Sequence, residues 1–159
     1  MQANLQPDTI DAGILTALST DSRRSYADVA AEVGLSTAAV HERVKKMVER
    51  GVIERFSLRV DPDKVGLQFT AFVAIRNDGG VHCRDIAPAL RDMPEVLELH
   101  SVAGEHDFLA KIRTTHARAL EDVIYQIKAI PGVARTTSTV VLNTEFEDRP
   151  IAYGMFDAA

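Results

Sequence analysis

Apolar positions in the first fifty residues recur at spacings of three and four. Ile10, Ile14, Leu15 and Leu18 share one side of a helix that Asp8 is placed to cap. A second, short helix begins after Ser25, with Tyr26, Val29, Ala30 and Val33 inward, and ends at Gly34. A third runs from its cap at Ser36 to about Arg50, and Gly51 closes it. Its predicted inner side is Val40, Val44, Met47 and Val48; Thr37, Ala38, His41, Glu42 and Lys45 face the other way. Only Gly34-Leu35-Ser36 separates the last two helices, with Leu35 as an apolar plug. Helices joined so tightly must cross steeply, as in a helix-turn-helix.

After Gly51 the period changes to two. Ile53, Phe56, Leu58 and Val60 are apolar, with Arg55, Ser57 and Arg59 between the last three, which predicts a strand in the position of a wing. Arg55 and Arg59 can follow a phosphate backbone there or simply keep an exposed strand soluble. Asp61-Pro62 through Gly66 then breaks the pattern, giving a helix-turn-helix domain over 1–60 and a linker over 61–66.

The remainder repeats itself. Met93-Pro94-Glu95-Val96 returns as Ile130-Pro131-Gly132-Val133 and Ile75-Arg76 as Ile112-Arg113, at one common offset. Each copy reads strand, helix, proline stop, strand. The strands are Phe69 to Arg76, Val96 to Val102, Phe108 to Arg113 and Val133 to Leu142. The helices are Cys83 to Arg91 and Ala117 to Ile130. The whole is therefore α+β: a winged helix-turn-helix followed by a ferredoxin-like βαββαβ domain over 67–144, with a tail over 145–159. The first strand is apolar on both sides, Phe72 and Ala74 alternating with Phe69, Ala71, Val73 and Ile75. Helices cover one sheet face, so a second copy is expected on the other, making a homodimer.

Charge sharpens the first domain. The 159 residues carry a net charge of −5, yet Arg23, Arg24, Arg43, Lys45, Lys46, Arg50, Arg55 and Arg59 outnumber the five acidic residues between Ser22 and Val60. A basic segment in an acidic chain is the footprint expected on a polyanion, although a solvated charged face accounts for a small excess as well. With helix-turn-helix geometry the expectation is double-stranded DNA, entered by the start of the third helix. The expected contacts are Arg23, Arg24, Ser36, Thr37, Ala38, His41, Arg43, Lys45 and Lys46. No apolar run approaches a membrane span, and the first residues lack the pattern of a signal peptide. The lone Cys83 excludes a disulfide framework and suits a reducing cytoplasm.

These motifs together resemble the Lrp/AsnC, or feast/famine, regulators over nearly the whole chain. Ile10-Asp11-Ala12-Gly13-Ile14-Leu15 is similar to the family's opening helix. Gly34-Leu35-Ser36, Val40, Arg43-Val44-Lys45 and Gly51-Val52-Ile53 are similar to its helix-turn-helix, and Asp61-Pro62 through Gly66 to its linker. Gly104-Glu105-His106-Asp107-Phe108 resembles the loop where members bind an amino acid. The resemblance implies a transcription regulator, dimeric and often octameric, with an amino-acid effector between ferredoxin-like domains. It assigns the effector to Gly104, His106 and Asp107, with Thr136 and Ser138 reaching in from a neighbouring subunit. His106 stands where members commonly carry an aromatic residue, often Tyr, so either a different ligand preference or no effector response is expected. From the residues themselves, a glycine-bearing loop with a carboxylate suits a free amino acid, and it equally suits a tight turn.

Other chemistries have thinner support. Among His41, His82, His100, His106 and His116 only His82-Cys83 are neighbours, and no metal-ligand spacing occurs, so neither metal nor cofactor is expected. No phosphate-binding glycine loop or nucleophile elbow is present, and no catalytic residue is assigned. Two alternatives stay open: an architectural DNA-binding protein without an effector, and an enzyme like the siroheme decarboxylases, which would draw on His100, His106 and Arg113.

Overall fold

A computed structural model describes residues 7–80, 82–151 and 153. Its described residues form two compact units, one of residues 7–59 together with 146–151 and 153, the other of residues 60–80 and 82–145.

The first unit is built on α1 (Thr9–Thr20), α2 (Tyr26–Val33) and α3 (Thr37–Glu49). Each begins on a side-chain cap. Asp8 accepts from the Asp11 N–H and Asp11 returns the bond, closing a capping box. Ser25 and Ser36 accept from the N–H groups of Asp28 and Ala39. Gly34 ends α2 in the left-handed conformation, φ 72°, where a side chain would be strained. Leu35, next along, packs partly into the core made by Ile14, Leu15, Ala17, Leu18, Val29, Ala30, Val40, Val44 and Met47. Val48, expected inward, is 45 % exposed: it sits at the rim of the apolar stripe, one position past Met47.

The strand expected over 53–60 does not form. The N–H groups of Val52 and Ile53 both donate to the Met47 carbonyl, folding these two side chains back against the helical core. From Glu54 to Val60 the chain is irregular and exposed, leaving Phe56, Leu58 and Val60 in water. Alternation describes an extended backbone; a strand also needs a neighbour for its ladder, and within the described residues this segment has none.

The second unit is a four-stranded antiparallel sheet in the order β2-β3-β1-β4, from β1 (Phe69–Asn77), β2 (Val96–Ser101), β3 (Phe108–Thr114) and β4 (Val133–Val140). With α4 (Cys83–Arg91) and α5 (Ala117–Ala129) this is the expected ferredoxin-like order. Ala71, Val73 and Ile75 of β1 and Phe108, Ala110 and Ile112 of β3 are buried with Ile86 and Leu90 of α4 and Leu120, Val123 and Ile127 of α5. The opposite sheet face carries Phe72, 38 % exposed, beside Lys111, whose Nζ lies 2.8 Å from Glu98. That pairing, with a smaller contribution from His100, holds the Glu98 carboxyl below the usual range.

Candidate functional site

Two surfaces carry the residues singled out from the sequence. On the first unit, the leading end of α3 is exposed at Thr37, Ala38 and His41, with Lys45 one turn on. Small residues at the start of a helix let a duplex approach the unpaired end of its backbone, where N–H groups attract phosphate. Ser36 serves this end as its cap. Lys45 and Lys46 keep loose surface pairings at 3.9 Å to Glu49 and 3.6 Å to Glu42, weak enough to exchange for phosphates. Arg23 is exposed, whereas Arg24 is held 2.7 Å from Glu32.

Arg43 has partners that the sequence did not reveal. Its Nη1 lies 2.8 Å from Asp8 Oδ2 and 2.7 Å from Asp11 Oδ1, tying α3 to the start of α1. It sits two positions after His41, which turns its side chain toward α1. Arg43, counted among the expected DNA contacts, is thus also engaged within the first unit. The Asp11 N–H, and next to it Arg43, lower the Asp8 pKa; Asp8 and Asp11 in turn raise that of Arg43.

The second surface is the end of β1 in the second unit. The Asp107 N–H donates to the Ile75 carbonyl at 2.9 Å, and Asp107 Oδ2 accepts from the Asn77 N–H at 2.8 Å. The Asp107 carbonyl also accepts from the Val102 N–H, closing the β2–β3 loop on itself. Within that loop Gly104 has φ 142°, a conformation L side chains rarely adopt, with open space where a Cβ would stand. Its glycine is thus required by the backbone, and the room above it is accessible to a ligand. On the other side of β1, Thr136 is in register with Ile75 and half-buried, and Ser138 follows, exposed, opposite Val73.

Asp107 and Thr136 consequently flank the same end of β1. His106, half-buried, belongs to this loop too. Asn77, whose backbone the Asp107 carboxylate holds, was not evident beforehand; an Asn ending an apolar strand is a faint signal. Tyr26 was assigned to the core alone, and its ring also meets His41. Of the residues the siroheme-decarboxylase alternative would draw on, His100 lies on β2 in register with Leu109, His106 in the β2–β3 loop, and Arg113 on β3 five residues beyond Phe108. Among the described residues no group of three or more His, Cys, Asp or Glu side chains is placed to hold a metal ion, and no helix is long and apolar enough to cross a membrane.

Comparison with known proteins agrees with this geometry. Residues 8–48 match the AsnC-type helix-turn-helix domain and residues 70–151 the Lrp/AsnC ligand binding domain. The chain is 38 % identical over 142 residues to the HTH-type transcriptional regulator LrpA of Mycobacterium tuberculosis, covering 89 % of this chain and 94 % of that one. It is 32 % identical over 140 residues to the regulator FL11 of Pyrococcus horikoshii, covering 88 % and 92 %. The structure of the M. tuberculosis feast or famine regulatory protein complexed with L-methionine superposes with a TM-score of 0.84 at 38 % identity, covering 89 % and 96 %. A Neisseria meningitidis transcriptional regulator in complex with L-methionine superposes at 0.86 with 25 % identity, covering 92 % and 96 %. With both its domains matched in order, the chain belongs to the Lrp/AsnC family of DNA-binding transcriptional regulators.

Proposed function

We propose that the chain binds specific DNA sequences through α3 and adjusts that binding in response to an amino acid held beside the β2–β3 loop. The observation that carries the sensor half is the loop itself. Gly104 leaves backbone accessible, and Asp107 stands fixed at the end of β1 with Thr136 on its far side. Asp107 uses Oδ2 on Asn77; its second oxygen can accept from a ligand ammonium, while loop N–H groups can donate to the ligand carboxylate. Two structural relatives are complexed with L-methionine, so apolar amino acids head the candidates. His106 in place of an aromatic residue gives this pocket a more polar wall and shifts preference among them. Arg23, Thr37, Ala38, His41, Lys45 and Lys46 make the DNA contacts.

The chain acts as a homodimer in the cytoplasm, and dimers assemble further, up to an octamer. The support is the sheet face opposite the helices, where the half-exposed Phe72 and Ala74 lie next to Leu109 and the Lys111–Glu98 pair. A second copy covers that apolar ground.

A thermal-shift screen against the twenty amino acids tests the sensor reading, because a ligand that binds only the folded state must raise the melting temperature. A reproducible rise with one or a few amino acids is the expected result. No rise with any of them contradicts an amino-acid effector and favours an architectural DNA-binding protein.

A further inference from the structure

Tyr26 is the first residue of α2, and its ring stands edge-on to the imidazole of His41 on α3. The ring centroids are 5.8 Å apart and the planes meet at 64°. The two side chains differ in burial. Tyr26 is half-buried against the helical core, while His41 projects from the exposed face of α3. A ring anchored by packing thus supports a ring that would otherwise rotate in water. Edge-to-face geometry is directional, since the positive edge of one ring meets the negative face of the other.

Orientation matters more for His41 than for its outward neighbours. An imidazole presents its two ring nitrogens in a fixed plane, whereas Lys45 offers three rotatable donors on a flexible stem. A base edge is read by the direction of donors and acceptors; a phosphate accepts a charge from many directions. We propose that Tyr26 is a positioning residue, holding His41 in the orientation in which α3 reads base edges, so that sequence preference depends on a side chain of α2 that touches no base. The inference rests on the reading of α3 as the DNA-entering helix. Its physical content is pre-organisation: rotamer freedom already lost in the unbound protein is not lost again on binding.

The test uses the full-length chain and a duplex it enriches from a random-sequence pool, with affinities from fluorescence anisotropy. Tyr26→Leu keeps apolar packing at the base of the ring and removes its edge; Tyr26→Phe keeps the ring and removes only the hydroxyl. Tyr26→Leu is expected to weaken the enriched duplex by about two- to tenfold. Its affinity for an unrelated duplex, and the slope of log affinity against log salt, should stay as in the wild type, because no phosphate contact is lost. Tyr26→Phe should bind like the wild type, and in a His41→Ala background Tyr26→Leu should have no further effect.

Equal losses on enriched and unrelated duplexes overturn the proposal and leave α3 as the reading helix. Independent losses that multiply in the double variant do the same. Failure of the wild type to enrich any duplex overturns this proposal and the reading beneath it together. Tyr26→Met repeats the comparison if Tyr26→Leu lowers the melting temperature.

Discussion

Asp8 performs two tasks with one carboxylate: it caps α1 and it holds Arg43 at 2.8 Å. The two are separable by substitution. Asp8→Ala removes both and should cost about 1 kcal/mol, the usual value of a lost N-cap, read as a lower melting temperature. Asp8→Asn keeps the cap oxygen and loses the charge, so it should cost less. Because the Asp8 pKa is lowered in the folded chain, its contribution is complete above the ordinary carboxylate range and fades as pH falls through the folded value. The carboxylate is half-exposed, so this contribution is small. Wild type should accordingly lose slightly more stability between neutral and strongly acidic pH than Asp8→Asn; identical acid curves would contradict the pairing. At the sensor loop, Asp107→Asn preserves an acceptor for the Asn77 N–H and removes the negative charge offered to a ligand. It should fold normally while binding an amino acid more than tenfold more weakly. Full ligand affinity in that variant would take Asp107 out of the site.

Among the elements, α3 is the one whose two faces were most legible. Ser36 before a run with Val40, Val44 and Met47 at helical spacing defines start, inner side and outer side together, and the buried set bears this out. His41→Ala combined with Lys45→Ala should therefore weaken DNA binding at least severalfold in gel shifts while leaving the oligomeric state unchanged. Unaltered affinity would mean another surface reads DNA. The pairing of Arg43 was not legible because composition counts a cation without saying which neighbour it meets, and its partners, Asp8 and Asp11, lie more than thirty residues away. The segment 54–60 was misjudged for the complementary reason: side-chain alternation says nothing of who supplies backbone partners. The repeat in the second unit was readable in full, since two prolines and two Ile-Arg pairs at one offset mark both βαβ copies. The β2–β3 loop was singled out through family resemblance. Its hydrogen bonds to Ile75 and Asn77 join residues about thirty positions apart, which no local pattern reports.

At the scale of the molecule, the tail belongs with the first unit. Tyr153 packs against the helical core among Val52 and Ile53, and Asp148 lies 3.9 Å from Arg59. Phe156 falls outside the described residues. The chain that leaves the first unit after Arg59 thus returns to it at Phe146, directly downstream of β4 with its Thr136 and Ser138. Tyr153→Ala should destabilise the helical unit by roughly 1–2 kcal/mol, less than a fully buried aromatic costs. Hydrogen exchange should then quicken in α1–α3 and leave β1–β4 unchanged; uniform protection would show that the tail contributes nothing.

A metabolite-gated regulator requires coupling between its two ligands. Its most direct test is the affinity of the full-length chain for its enriched duplex, measured by anisotropy with and without a saturating amino acid identified in the thermal-shift screen. Coupling between the sites predicts a change in Kd of about fivefold or more, in either direction. An affinity that stays the same at saturation would contradict a metabolite-gated regulator and leave a DNA-binding protein indifferent to its ligand.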